Sequence, residues 1–267
     1  MSPPYIFCRG YSISNSEFTN YEFNILRALT AAAGACLRLR VRLRQMDNDG
    51  HRGITMSTQQ PIVFTSFTSP FGRSVRICLF ERGIEHRVVP STRGERQVPE
   101  HLARHPFAKI PVLDHDNFLV YETQAIIRYV ADVFPGNPLT PSDPRITARM
   151  NQVIGIIDAY FFSQVSSPIA GERIFAKMTG GAPNEDKIKA HVPNAYTCCA
   201  AIDAILADQP YMAGDALSLA DIMAGPHLAV FAGTPEGLTV LGQYPRLRRW
   251  LDMISELDSF QRTVSPF

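Results

Sequence analysis

The stretch Phe134-Pro-Gly-Asn-Pro-Leu-Thr-Pro-Ser-Asp-Pro144 holds four prolines and a glycine, so it cannot lie inside a helix or a sheet. It divides the chain, because the patterns on its two sides differ. Upstream, short apolar runs alternate with single helical stretches. Downstream, apolar residues recur at helical spacing over 146–164, 185–207, 218–231 and 245–256, and no run reads as a strand. The linker is placed at residues 139–144, with one domain over 59–138 and a second, all-helical one over 145–267.

The first of these domains has a definite order. Residues 62–67 form a short apolar strand, and Ser69-Pro70 then reads as an N-cap followed by a first helical residue. That helix runs to about 82, where Gly83 stops it. A second strand fits 87–89, and 90–99 is polar connection. Two short strands, 110–113 and 118–121, flank Asp114-His115-Asp116-Asn117, a turn-rich tetrapeptide suited to an antiparallel hairpin. A helix over 123–133 follows. Strand, helix, strand, connection, hairpin, helix describes an α/β thioredoxin-like domain (βαβ-ββα), followed here by an all-α domain.

Charge and cysteine usage narrow the function classes. The 26 basic residues nearly cancel the 25 acidic ones, so the field that nucleic acid or an anionic membrane needs is missing. The five cysteines, Cys8, Cys36, Cys78, Cys198 and Cys199, show neither CxxC spacing nor a Cys/His cluster. Reduced thiols in a cytoplasmic protein, with no disulfide framework and no metal site, are expected. The apolar runs are interrupted by charge before the roughly 20 residues of a membrane span. Residues 1–58 form an atypical extension in which the run from Ile25 to Gln45 carries five arginines and no acid and ends in the alternation Leu37-Arg38-Leu39-Arg40-Val41-Arg42-Leu43-Arg44. An organelle-targeting presequence, a strand, and a stretch lying ahead of a true start at Met56 all fit it, and the last is preferred.

Four motifs, in order along the chain, resemble the glutathione transferases, nearest to the phi class. Pro99-Glu100-His101-Leu102-Ala103-Arg104-His105-Pro106-Phe107-Ala108-Lys109-Ile110-Pro111-Val112-Leu113 is similar to that family's approach to its cis-proline strand, and Glu122-Thr123-Gln124-Ala125-Ile126 to the start of its next helix. Tyr211-Met212-Ala213-Gly214-Asp215 with Ser218-Leu219-Ala220-Asp221 is similar to its capping-box helix, and Tyr244-Pro245-Arg246-Leu247 with Trp250 to its closing helix. The resemblance covers about 59–264.

Glutathione as co-substrate, with residues 59–138 as the glutathione-binding domain, is what the resemblance implies. Its thiol has an ordinary pKa near ~8.5 and must ionise at neutral pH. Ser69 is the candidate catalytic residue: its hydroxyl can donate to the sulfur while the helix it caps offers unpaired N–H groups and a partial positive charge. Lowering the thiol by about two units takes roughly 2.7 kcal/mol, within reach of one charge-assisted hydrogen bond and a helix end. Ser66 and Thr68 are rival donors, Thr65 a weaker one, and a plain N-cap is the bland alternative. No tyrosine or cysteine stands at this place.

Other roles follow from the same resemblance. Pro111 should be cis and present the Ile110 backbone to the cysteinyl part of the tripeptide. Lys109 and Arg96 are candidates for the glycyl carboxylate, each with a solvated surface residue as the alternative; Arg96-Gln97 stands where phi-class chains usually carry His-Lys. Glu122 and Thr123, at a helix start, should hold the γ-glutamyl end. An apolar electrophile is expected between the two halves, walled by Phe67 and Phe71 and, from the helical half, by Phe161, Phe162 and Ile169. Asp221 reads as structural, the far end of a capping box. A homodimer is expected by resemblance. Transfer to an electrophile, in detoxification or secondary metabolism, competes with a reversible thiolate addition that isomerises a double bond, and with a non-catalytic binding or assembly module.

Overall fold

The computed structural model describes residues 60–264 apart from Asp208, so the expected N-terminal extension lies outside the described residues. A four-stranded sheet is built from β1 (Ile62–Thr65), β2 (Arg87–Pro90), β3 (Val112–His115) and β4 (Phe118–Tyr121) in the order β2-β1-β3-β4. β1 and β2 are parallel, with Val63 opposite Val88; β1–β3 and β3–β4 are antiparallel, with Val63 opposite Leu113 and Leu113 opposite Val120. Parallel neighbours need a crossover, and helix α1 (Pro70–Glu81) supplies it.

The hairpin is tighter than expected. Its turn is Asp116-Asn117 alone, at φ 57° and 64°, while Asp114 and His115 pair with Leu119 and Phe118. Two left-handed residues match the twist of a two-residue hairpin, and Asp and Asn tolerate that region. β3 begins at Val112 and not at Ile110, since Pro111 has no N–H to give a ladder. The segment read as plain connection carries a 3₁₀ turn (Glu95–Gln97), and the residues after it form helix α2 (Pro99–Arg104), too short to show a period. Helix α3 (Thr123–Val133) follows β4 directly.

The helical half opens with α4 (Pro144–Ile156), capped by the Asp143 carboxylate, which accepts from the Arg145 and Ile146 N–H groups at 2.8 and 3.0 Å. The helix does not end near 164 as expected. It widens into a π-helical segment (Ile157–Gly171) with Pro168 inside it, then narrows into α5 (Glu172–Thr179), which Gly180 ends at φ 68°. Helices α6 (Glu185–Leu206), α7 (Leu219–Ala232), α8 (Pro235–Leu241), α9 (Pro245–Ser255) and α10 (Asp258–Gln261) complete the described fold. By length and composition the run Pro144–Thr179 could cross a membrane, contrary to the count of apolar stretches made from sequence. Half of its most apolar window is buried within the protein, where it packs on α6 and α7.

The Asp221 carboxylate pins α7. Oδ1 accepts from Met212 N–H at 2.8 Å and Trp250 Nε1–H at 2.9 Å; Oδ2 accepts from Ser218 N–H at 2.9 Å and the Ser218 hydroxyl at 2.8 Å. Burial pushes this carboxyl up, and the four donors pull it back. Its role is structural.

α1 is buried on more than one side, at Gly72, Ser74, Val75, Ile77, Cys78 and Leu79, because α3 covers one flank and α7 the other. Its C-terminal end is tied to the Pro-rich stretch that begins at Phe134 by Arg82, whose guanidinium donates to the Phe134 and Asn137 carbonyls. On its outer side Arg73 donates to Phe260 O at 3.0 Å and to Thr263 Oγ1 at 3.3 Å. The helix that starts at Ser69 is thus clamped by the Pro-rich stretch after α3 and by the last described turn.

Candidate active site

Ser69 lies between β1 and α1, in extended conformation (φ −79°, ψ 118°), with its N–H held by Ser66 O at 3.0 Å. Its hydroxyl oxygen accepts from Gly72 N–H at 3.2 Å and its carbonyl from Arg73 N–H at 2.9 Å. Pro70 has no N–H, so the Phe71 N–H is the first-turn donor left without a partner. The Ser69 hydroxyl proton is likewise uncommitted. Both donors lie at the positive end of α1, and the first turn carries no acid to oppose an anion.

Of the rival donors, Ser66 and Thr68 commit one hydroxyl proton to each other. Ser66 Oγ and Thr68 Oγ1 are hydrogen-bonded to each other at 2.9 Å, and Thr68 N–H also donates to Ser66 Oγ at 3.3 Å. Thr65 is fully buried, its hydroxyl unpartnered and turned under the helix: a Cβ on Gly72 would stand 1.8 Å from it. Only glycine lets α1 start this close to β1.

The Ile110–Pro111 peptide is cis, and Pro111 is buried just ahead of β3. Lys109 has an exposed side chain, and its carbonyl accepts from or faces the His101 ring nitrogen at 2.8 Å. Arg96 is partly engaged: one guanidinium nitrogen donates to Ser91 O at 3.3 Å, while Nε is buried and unpartnered. Its charge is therefore held against the end of β2.

At the start of α3, Glu122 sits at φ 69°, a left-handed position that costs a non-glycine residue on the order of 1–3 kcal/mol and is found at ligand clamps. Its carbonyl takes the Ala125 and Ile126 N–H groups at 2.9 and 3.0 Å, which leaves the N–H groups of Thr123 and Gln124 open. No acid occupies that first turn, and the Thr123 side chain is buried beneath it. Gln124 donates to Asp158 of the helical half at 2.8 Å, fixing the start of α3 against it.

The expected apolar wall needs correction. Phe161 is fully buried against Phe231, ring centroids 5.8 Å apart, and Ile169 is fully buried in the same core, so neither faces a cleft. Phe67 is 41 % exposed and lies under the Arg76 guanidinium at 5.4 Å, on the outer side of α1. Phe71 and Phe162 do meet across the two halves, edge to face at 4.7 Å. His227 of α7 joins them, a lone polar residue within an apolar run that carries no sequence signal of its own. Arg73 and Arg76 are likewise outside the set expected from sequence. Both lie in the first two turns of α1, and burial, with mutual repulsion for Arg73, lowers their pKa values without discharging them. A cavity of about 200 Å³ elsewhere, between α6 and α8 at Val192, Tyr196 and Val240, contributes none of these residues. Among the described residues no three His, Cys, Asp or Glu side chains gather as a metal site would require.

A thioredoxin-like sheet with an anion-receptive helix start after β1, a second after β4, and a helical half packed against them defines a class that sequence comparison identifies. The family profiles for the glutathione S-transferase N-terminal and C-terminal domains match residues 63–138 and 185–252. Glutathione S-transferase PM239X14 of Arabidopsis thaliana is 35 % identical over 177 residues, covering 64 % of this chain and 80 % of the relative. Glutathione S-transferase 4 of Zea mays is 32 % identical over 169 residues, 62 % of this chain and 75 % of that one. The crystal structure of glutathione transferase F7 from Populus trichocarpa superposes with a TM-score of 0.70 at 25 % identity, covering 76 % of this chain and 97 % of that one. The chain belongs to the glutathione S-transferase family, on its phi-class side.

Proposed function

We propose that this protein is an enzyme that binds glutathione as co-substrate, ionises its thiol at Ser69 and transfers it to an apolar electrophile. The observation that carries the reading is the pairing at the start of α1: an uncommitted serine hydroxyl beside an unpaired Phe71 N–H, at a helix end free of acid. The sulfur would rest against both donors. The open N–H groups at Thr123 and Gln124, with Glu122 beside them, suit the γ-glutamyl carboxylate and ammonium; Ile110, next to the cis-proline, suits the cysteinyl amide. Lys109 and Arg96 are assigned to the glycyl carboxylate, with exposed Lys109 the better placed because Arg96 already serves Ser91.

Phe71 and Phe162 are assigned to the electrophile's wall, in the seam between the halves where ligand sites tend to form. The homodimer and the cytoplasmic setting stand as expectations from the family. The exposed Phe107, Phe118 and Leu119 near the β4 edge suit a subunit contact, which sedimentation would detect.

The test of thiol activation is the ultraviolet absorbance of the bound glutathione thiolate, followed across pH in the wild type and in Ser69→Ala. The wild type should titrate about two units below free glutathione and the variant close to it. Identical titrations would remove Ser69 from the mechanism, and an absence of glutathione binding would favour a non-catalytic module. Product mass separates transfer from isomerisation, since isomerisation leaves it unchanged.

A further inference from the structure

His227 is fully buried, and its two ring nitrogens have unlike surroundings. Nδ1 lies 3.4 Å from the Ser166 hydroxyl, whereas Nε2 has no partner. Ser166 Oγ has no other hydrogen-bond partner, so pairing its proton makes it the donor to Nδ1 and assigns the ring proton to Nε2. That N–H is a committed donor with nothing to receive it. Natural interiors seldom leave such a group unpaired, and a functional role is one of the causes where they do.

The position of the ring puts it beside the seam between the two halves. It stands edge-on to Phe71, with centroids 4.4 Å apart at 71°, and to Phe162 at 5.9 Å and 85°. Phe71 is two residues beyond Ser69 on α1, Phe162 belongs to the π-helical segment, and His227 to α7, so three parts of the chain close one seam. Phe71 and Phe162 are only partly buried, unlike Phe161 next door. A guest that parted the Phe71 and Phe162 rings would meet the imidazole that packs edge-on against both.

We propose that the Nε2–H of His227 is a hydrogen-bond donor to the carbonyl oxygen of an α,β-unsaturated carbonyl electrophile, which makes His227 a specificity-determining residue. The inference rests on the thiol-activation reading above. The sulfur lone pair forms the S–C bond at the β-carbon, the C=C pair shifts toward the carbonyl carbon, and the C=O π pair moves onto oxygen. There the N–H meets the developing negative charge. Water then protonates the α-carbon and the carbonyl re-forms; the thiol's proton has gone to solvent, so glutathione plus enone sums to a saturated thioether. Burial holds the imidazole at about 3, so it serves as a neutral donor and never as the acid. Phe71 and Phe162 supply only shape.

The experiment compares glutathione addition to benzylideneacetone with displacement on benzyl chloride, which offers no oxygen acceptor, in the wild type, His227→Phe and His227→Gln. The enone-to-halide ratio of kcat/KM should fall about ten- to a hundredfold in His227→Phe, as expected for a lost hydrogen bond to a charged acceptor. It should recover in part in His227→Gln, whose amide N–H can stand in. A ratio within about twofold of wild type in His227→Phe would overturn the proposal. Infrared spectra of bound benzylacetone, the unreactive saturated ketone, test His227 without turnover or a variant. A carbonyl stretch lowered relative to an apolar solvent supports the donor, and an unshifted one refutes it. Absent transfer to either substrate, with a lowered carbonyl stretch, would instead count against the thiol-activation reading.

Discussion

Acidification should unfold the wild-type protein more readily than His227→Phe, by an amount that burial of one ring determines. The imidazole titrates at about 3 in the folded protein, against an ordinary ~6.5 in an unfolded chain. Between those values the unfolded chain holds a proton that the folded one refuses, so stability is whole above about pH 6.5 and declines as pH falls toward about 3. One unit of pH corresponds to about 1.36 kcal/mol, which bounds the full loss at about 5 kcal/mol and sets it near 2.5 kcal/mol between about pH 7 and pH 4.5. Urea unfolding of both proteins at those two pH values gives four free energies. Their double difference cancels the carboxylates common to both and isolates the ring. A double difference below about 0.5 kcal/mol would mean that the folded protein accepts the proton at His227, hence that the ring is solvated or paired with an acceptor. The neutral, unpartnered donor would then have to be given up.

Three further outcomes test other parts of the structure. Asp221→Ala strands four buried donors and should cost about 3–5 kcal/mol, read as a lower guanidinium midpoint with the glutathione KM of the folded fraction little moved. Gly72→Ala drives a methyl to 1.8 Å from Thr65 Oγ1 and should both destabilise by about 1–3 kcal/mol and raise the bound-thiol pKa, because the start of α1 must shift; Thr65→Ala in the same chain should recover part of each. Thr123→Val should raise the glutathione KM about five- to tenfold while leaving the bound-thiol pKa where it was; a moved pKa would mean that Thr123 acts on the sulfur and not on the γ-glutamyl end.

The sheet half is readable from sequence because each of its boundaries carries its own local signal: Ser69-Pro70 opens α1, Gly83 closes it at φ 71°, and Asp116-Asn117 turns the hairpin. The end proposed to activate the thiol needs only those signals, since a cap and a helix start lie within a few residues of each other. The electrophile side is different in kind. Phe161 and Phe162 are neighbours in sequence, and one enters the core against Phe231 while the other enters the seam against Phe71. A 3.6-residue template cannot sort them, because the backbone there is wound as a π-helix, and Pro168 is the sole sequence cue to that winding. Phe161, Val165 and Ile169, four residues apart, all turn inward, so two of the three wall residues drawn from this helical half belonged to the core. His227 was hidden for a related reason. α7 is buried almost all round, and a single polar residue does not disturb an apolar pattern that has no solvent face. Its unpaired nitrogen exists only because Ser166 reaches one edge of the ring and nothing reaches the other, a relation between residues 61 apart. On the proposed reading the chemistry of the sulfur is therefore encoded locally, while the choice of its partner is encoded in contacts among α1, α7 and the π-helical segment. Substitutions that retune substrate preference should accordingly fall in the helical half and leave the start of α1 alone.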